Sequence, residues 1–122
     1  MRKEAENTIA ELTERIIRFR DARDWKQFHN PKDVSLSMVL EAGEVMEHFQ
    51  WKNAQEMDEY SRTHKEEIGE EIADVLYWIL LLSHDLEVDP LKALEKKIIK
   101  NEEKYPEDKA RGNHKKYTEL NS

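Results

Sequence analysis

Glu67-Ile68-Gly69-Glu70-Glu71-Ile72-Ala73-Asp74-Val75-Leu76-Tyr77-Trp78-Ile79-Leu80-Leu81-Leu82 joins helix-spaced acids to an unbroken apolar run. On a wheel of about 100° per residue, Glu67, Glu71, Asp74 and Trp78 form one strip. Ile68, Ile72, Val75, Ile79 and Leu82 occupy the arc beside it, and Glu70 lies farther round as a solvated charge. The stretch predicts a helix from Ser61 or Thr63, where Thr63 and Glu66 make a capping box, to about Leu86. Its second half is apolar around the whole circumference, which a single layer of neighbours does not cover. That predicts a subunit interface and a homo-oligomer; the alternative is that the other helices of the same chain cover it.

Working outward, Thr8 and Glu11 open a helix over about Thr8 to Ala22, with Ile9, Leu12, Ile16 and Phe19 at helical spacing. An aromatic connection follows, Asp24-Trp25-Lys26-Gln27-Phe28-His29. Asn30 as cap, Pro31 in the first turn and Asp33 at the positive end of the dipole start a second helix, reaching Phe49 or Trp51. Lys52 to Tyr60 is polar and reads as a loop with at most one short turn. Asp89-Pro90 starts the last helix, which Tyr105-Pro106 stops after Lys104. The tail from Glu107 to Ser122 carries Lys109, Arg111, Lys115 and Lys116 and reads either as a flexible end or as a lid. The expectation is an all-α four-helix bundle, one domain over residues 1–122.

Composition agrees. With 38% hydrophobic and 39% charged residues and only 3 Gly and 3 Pro, the chain has a helical profile. A formal net charge of -7 argues against a binder of nucleic-acid polymers, which needs a basic face. The absence of cysteine excludes disulfides, thiolate metal sites and a Cys nucleophile. No apolar stretch follows Met1-Arg2-Lys3, and the longest apolar run is far short of a membrane span. These features point to a cytoplasmic protein with no membrane partner.

The acids carry the chemistry. Glu41, Glu44 and His48 share one side of the second helix with Ser37, beside an apolar stripe of Val34, Met38, Val45 and Phe49. If this helix packs antiparallel on the third, Glu41 and Glu44 meet Glu71 and Asp74 at the edge of the core. Like charges about 5 Å apart repel by about 3 kcal/mol at an effective dielectric near 20. Raised pKa values or bound cations must relieve that repulsion. An all-oxygen donor set without thiolates selects hard ions, Mg²⁺ first and Mn²⁺ as a substitute. The competing reading is a solvated face, because 27 acids in 122 residues give roughly six such i, i+3 pairs by chance. A di-iron bundle needs Glu-x-x-His, and no histidine here follows a Glu at that spacing. His48 reads as a hydrogen-bonded boundary residue or as a neighbour of the acids. No Ser/His/Asp arrangement and no Gly-rich phosphate loop is present, so metals and cationic side chains must hold any phosphates.

Several segments resemble, in order, the MazG-type all-α nucleoside triphosphate pyrophosphohydrolases, in particular their small dCTP pyrophosphatase branch. They are Arg23-Asp24-Trp25-Lys26-Gln27-Phe28-His29, Glu41-Ala42-Gly43-Glu44 through Phe49-Gln50-Trp51, Glu70-Glu71-Ile72-Ala73-Asp74-Val75-Leu76, Lys104-Tyr105-Pro106 and Lys116-Tyr117-Thr118-Glu119-Leu120. The resemblance implies the reaction NTP + H₂O → NMP + PPi, on dCTP or a modified deoxycytidine triphosphate, in a pool-cleaning role. It implies Mg²⁺ held by Glu41, Glu44, Glu71 and Asp74, one of which orients the attacking water, with Glu41 the choice. Glu67 is at most an outer-shell residue. It assigns Lys97 and Lys104 to phosphate, Asn101 to sugar or phosphate, and Trp25, Phe28, His29, Trp51 and Trp78 to an aromatic slot for the base. Relatives often carry Tyr where this chain has Trp78, which bears on base preference. Dimers or dimers of dimers are implied. The rival readings are a broad-specificity dNTP pyrophosphohydrolase and a non-catalytic helical interaction module.

Overall fold

The computed structural model describes residues 8–120, and every regular element among them is helical. The chain divides into two compact units, Met1–Glu87 and Val88–Ser122.

In the first unit α1 spans Ile9–Ala22, capped by the Thr8 hydroxyl, which accepts from the Glu11 amide at 3.1 Å. Asp24, at φ 54°, turns the chain into a single 3-10 turn, Lys26–Phe28. Helix α2 spans Pro31–Glu47, and Asn30 Oδ1 accepts from the Asp33 amide at 2.9 Å, the cap the sequence predicts. It ends before Phe49: the His48 and Phe49 amides reach back only three residues, and Trp51, at φ 70°, breaks the helical path.

The expected loop from Lys52 to Tyr60 is instead a helix, α3, Ala54–Thr63. Its start is a reciprocal capping box: Asn53 Oδ1 accepts from the Glu56 amide at 2.9 Å, and Glu56 Oε1 from the Asn53 amide at 3.0 Å. Polar composition hid it. The expected capping box at Thr63 and Glu66 does not form, because the Thr63 hydroxyl turns back to the Glu59 carbonyl at 3.1 Å. Helix α4 therefore starts at Lys65, after a junction at His64, and runs to Asp85.

Helix α4 is the centre of this unit, with α2 its principal neighbour and α1 and α3 beside it. His29, just before α2, touches Trp78, whereas His48, just after it, reaches α4 through Tyr60 and His64. Helices α2 and α4 are therefore antiparallel. The last turns of α1 and α4 meet where Arg20 grips Asp85 through two hydrogen bonds, of 2.7 and 2.9 Å. Arg20 is 1% exposed and shares the buried core with Val34, Leu80 and Leu81.

That core is small, and the expected apolar stripe is not all inside it. Ile72 is 53% exposed. It lines an open apolar groove of about 440 Å³ with Ala42, Val45, Val75, Leu76 and Ile79. A second open groove runs between α1 and α4, past Leu12, Ile16, Leu76 and Tyr77. Among the described residues of this unit nothing closes either groove.

In the second unit α5 spans Pro90–Lys104, and Asp89 Oδ1 accepts from the Leu91 and Lys92 amides at 3.1 Å. The tail holds two short helical turns, α6, Glu107–Ala110, and α7, Tyr117–Leu120. The Tyr117 ring packs edge-on against Tyr105, with Lys104 Nζ 4.8 Å over it, so the tail folds back onto the end of α5.

Candidate active site

Glu41 and Glu44, one turn apart on α2, face Glu71 and Asp74, one turn apart on α4. One carboxylate oxygen from each lies within 4.8 Å of all the others. The antiparallel pairing of two i, i+3 acid pairs produces this convergence. Glu41 and Glu71 are half-buried, Glu44 and Asp74 exposed. The cluster thus has a closed inner side and an open outer one.

The electrostatics follow from that placement. A hydrogen bond with Glu44, then burial, then the charges of Glu44, Asp74 and Glu41 push the Glu71 pKa from 4.5 to about 7. Burial first, then the hydrogen bond and charge of Glu44 and the charge of Asp74, raise that of Glu41. The cluster therefore retains protons near neutrality, as closely set carboxylates must in the absence of cations. The second oxygens, Glu41 Oε2 and Glu71 Oε2, are buried without a hydrogen-bond partner among the described residues. An orphaned buried acceptor is destabilising unless something positive meets it. Four carboxylates, two orphaned oxygens and an all-oxygen donor set fit one or more hard divalent cations. Glu67 and Glu70 stand exposed outside the cluster.

The five aromatic candidates do not form one slot within one chain. His29 packs edge-on against Trp78 at 5.5 Å. Trp25 lies on the same connection but packs edge-on against Phe19 at 5.7 Å, and Phe28 is 64% exposed. Trp51 stands beyond the opposite end of α2, a helix of 17 residues and so about 25 Å long. It is 91% exposed, and among the described residues no ring contacts it. Lys97, Asn101 and Lys104 lie along α5 at helical spacing, the first two exposed and the third against Tyr117.

Two features escape a sequence reading. Arg20 and Asp85 are 65 positions apart, so no local pattern announces their fork. The fork sits beside His29, whose pKa burial, and then the Arg20 charge, lower from the ordinary imidazole value. That favours the neutral form of the His29 ring, whose Nδ1 is buried without a partner among the described residues. The second feature is a cluster of rings around Tyr60 at the far end of α2. His48 and Phe49 follow α2, Tyr60 lies in α3, which the sequence presents as the end of a loop, and His64 joins α3 to α4.

Known proteins share this architecture. Residues 36–120 match the model of the MazG-like family. Human dCTP pyrophosphatase 1 is 38% identical over 118 residues, covering 94% of this chain and 69% of that protein. The rat protein of the same name is 36% identical over 117 residues, with the same coverage. The crystal structure of a pyrophosphatase from Archaeoglobus fulgidus superimposes with a TM-score of 0.78 at 37% identity, over 87% of this chain and 99% of that one. Sequence match and shared backbone both extend over most of the chain, so it belongs to the MazG-like family.

Proposed function

We propose that this nucleoside triphosphate pyrophosphohydrolase acts on dCTP or a modified deoxycytidine triphosphate: dCTP + H₂O → dCMP + PPi. The observation that carries the reading is the four-carboxylate cluster with two orphaned buried oxygens, in a chain whose relatives include proteins named dCTP pyrophosphatase 1. Glu41, Glu44, Glu71 and Asp74 are assigned as the ligands of Mg²⁺, with Mn²⁺ a substitute. When bound, the ions neutralise the triphosphate, favour departure of pyrophosphate and acidify water.

The protein's own groups do the rest. The cluster raises the pKa of Glu71 to about 7 and that of Glu41 in the same direction, and bound cations would favour the charged forms of both. Glu41, on the closed side of the cluster, is assigned to orient the water that attacks the α-phosphorus. Lys97 and Lys104 are assigned to phosphate and Asn101 to sugar or phosphate. Trp25, Phe28, His29, Trp51 and Trp78 are assigned to the base.

The aromatic residues lie at opposite ends of α2, and two apolar grooves are open, so the reading includes a homo-oligomer, a dimer or a dimer of dimers. A free deoxynucleotide substrate suits a cytoplasmic pool-cleaning role. Among the described residues no helix is long and apolar enough to cross a membrane.

The test is incubation with dCTP and Mg²⁺, with products resolved by ion exchange. dCMP and pyrophosphate are expected. Release of single phosphate, or no turnover of any dNTP, would sink the proposal.

A further inference from the structure

Trp51 is 91% exposed, and among the described residues no other ring packs on its indole, yet a base-stacking residue needs a defined position. Its place is set by the turn that carries it, which leaves α2 after His48 and enters α3 at Asn53, with Trp51 at a left-handed φ of 70°. An aromatic residue does not hold that backbone conformation unless both flanks are secured.

Both flanks are secured to the same ring. His48, the residue that ends α2, hydrogen-bonds Tyr60 Oη through Nδ1 at 2.6 Å. Phe49 packs edge-on against the Tyr60 ring at 6.3 Å. From the other flank, Lys52 places Nζ 4.2 Å over the same ring. His64, at the junction of α3 and α4, stacks on Tyr60 at 3.9 Å and 7°. The stacked imidazole covers one face of the ring and leaves the other to the Lys52 ammonium. The residues immediately before and after Trp51's turn are thereby tied through α3 to the start of α4, the helix that carries Glu71 and Asp74.

We propose that Tyr60 is a positioning residue for substrate binding, holding the turn of Trp51 at a fixed place relative to the acid cluster. The inference rests on the nucleotide-hydrolase reading and on Trp51's assignment to the base. Tyr60 touches no reacting group. It acts through the backbone of residues 48–53, so its loss weakens substrate capture and leaves the chemical step alone.

The experiment is a double-mutant cycle of Tyr60→Phe and Trp51→Ala, assayed on the nucleotide that the wild-type protein turns over fastest. Tyr60→Phe keeps the ring, its stacking and its cation contact, and removes only the hydroxyl that binds His48. It is expected to raise KM by about 3- to 10-fold, the range of one lost hydrogen bond, with kcat and melting temperature near wild type. Trp51→Ala is expected to raise KM more. In the Trp51→Ala background the Tyr60→Phe effect is expected to vanish, because the residue through which it acts is gone. An unchanged KM in Tyr60→Phe overturns the proposal. So does a loss confined to kcat, or a KM factor that multiplies with that of Trp51→Ala. If Trp51→Ala alone leaves KM unchanged, the base assignment at Trp51 is what fails, and the positioning role falls with it. A wild-type protein inactive on every dNTP identifies the hydrolase reading as the error.

Discussion

Glu44 on α2 and Glu71 on α4 bring carboxylate oxygens within 4.8 Å of one another, and hydrogen bonding to Glu44 is the largest cause that raises the Glu71 pKa to about 7. Two acids on different helices can make such a bond only if they share a proton. The folded chain therefore tolerates this cluster by protonation, and cations are the alternative means of relief.

Replacing Glu44 with Gln, or Asp74 with Asn, removes one negative charge while keeping the shape. Each is expected to lower turnover by about 100-fold or more, as loss of a metal ligand does when outer-shell losses alone reach 10- to 100-fold. Without metal each variant is expected to melt at or above the wild-type temperature. Assays in saturating Mg²⁺ and thermal melts in chelator check the two halves. Full activity in both variants would refute the assigned site.

Stability of the metal-free protein is expected to fall as pH rises. Glu71 titrates near 7 when folded and near 4.5 when not, and the Glu41 value is displaced in the same direction. Between those values the folded state binds more protons than the unfolded one, so each step up in pH favours unfolding. His29, whose pKa is lowered from 6.5, opposes this below that value, and Asp85, held below 3.8 by its hydrogen bond to Arg20, does so only in stronger acid, where its stabilisation is lost. Melting temperatures measured in chelator are expected to decline from pH 6.5, above which His29 no longer opposes the trend, to pH 8. Added Mg²⁺ is expected to restore more stability at pH 8 than at pH 5. A flat profile in chelator contradicts the shared proton.

Asp85→Ala strands the Arg20 guanidinium, which is 1% exposed. The expected loss is about 3 kcal/mol in urea unfolding, the lower end for breaking a buried pair. Arg20→Met is expected to lose less, because the Asp85 side chain is 21% exposed and can be hydrated. Equal losses in the two variants would show that solvent reaches the guanidinium as well.

His29 offers a buried Nδ1 with no partner among the described residues, beside Trp78. Stacking alone discriminates bases poorly, so an unpaired ring nitrogen is the better source of selectivity. His29→Phe is expected to lower the kcat/KM preference for dCTP over dTTP by about tenfold, the worth of one polar contact. A panel of four dNTPs measures it, and an unchanged ratio removes His29 from base selection.

Leu76 lines both open apolar grooves and is 42% exposed. A charge there would be buried unpaired in any interface that uses them. Leu76→Arg is expected to reduce the mass seen by light scattering to that of a smaller assembly or a monomer. The same mass as wild type would show that neither groove is a subunit contact.

Local chemistry was legible in the sequence. Thr8, Asn30 and Asp89 cap their helices through backbone groups two or three residues away, so spacing alone locates them. The box at Asn53 and Glu56 has the same local form, and Ala54, Met57 and Tyr60 follow it at helical spacing, but the polar composition of the segment made it read as a loop. The acid pairs were legible as pairs, because i, i+3 spacing puts Glu41 with Glu44 and Glu71 with Asp74 whatever the helices do.

What spacing determined, then, was which residues share a helix face, since one helical turn is the same in any protein. Tertiary structure alone decided which faces meet. The antiparallel seating of α4 on α2 turned two acid pairs into one proton-sharing cluster, joined Arg20 to Asp85 across 65 positions, and separated Trp51 from His29 by the length of a helix. Such pairings depend on how whole surfaces fit when buried, and no short stretch of chain contains that information.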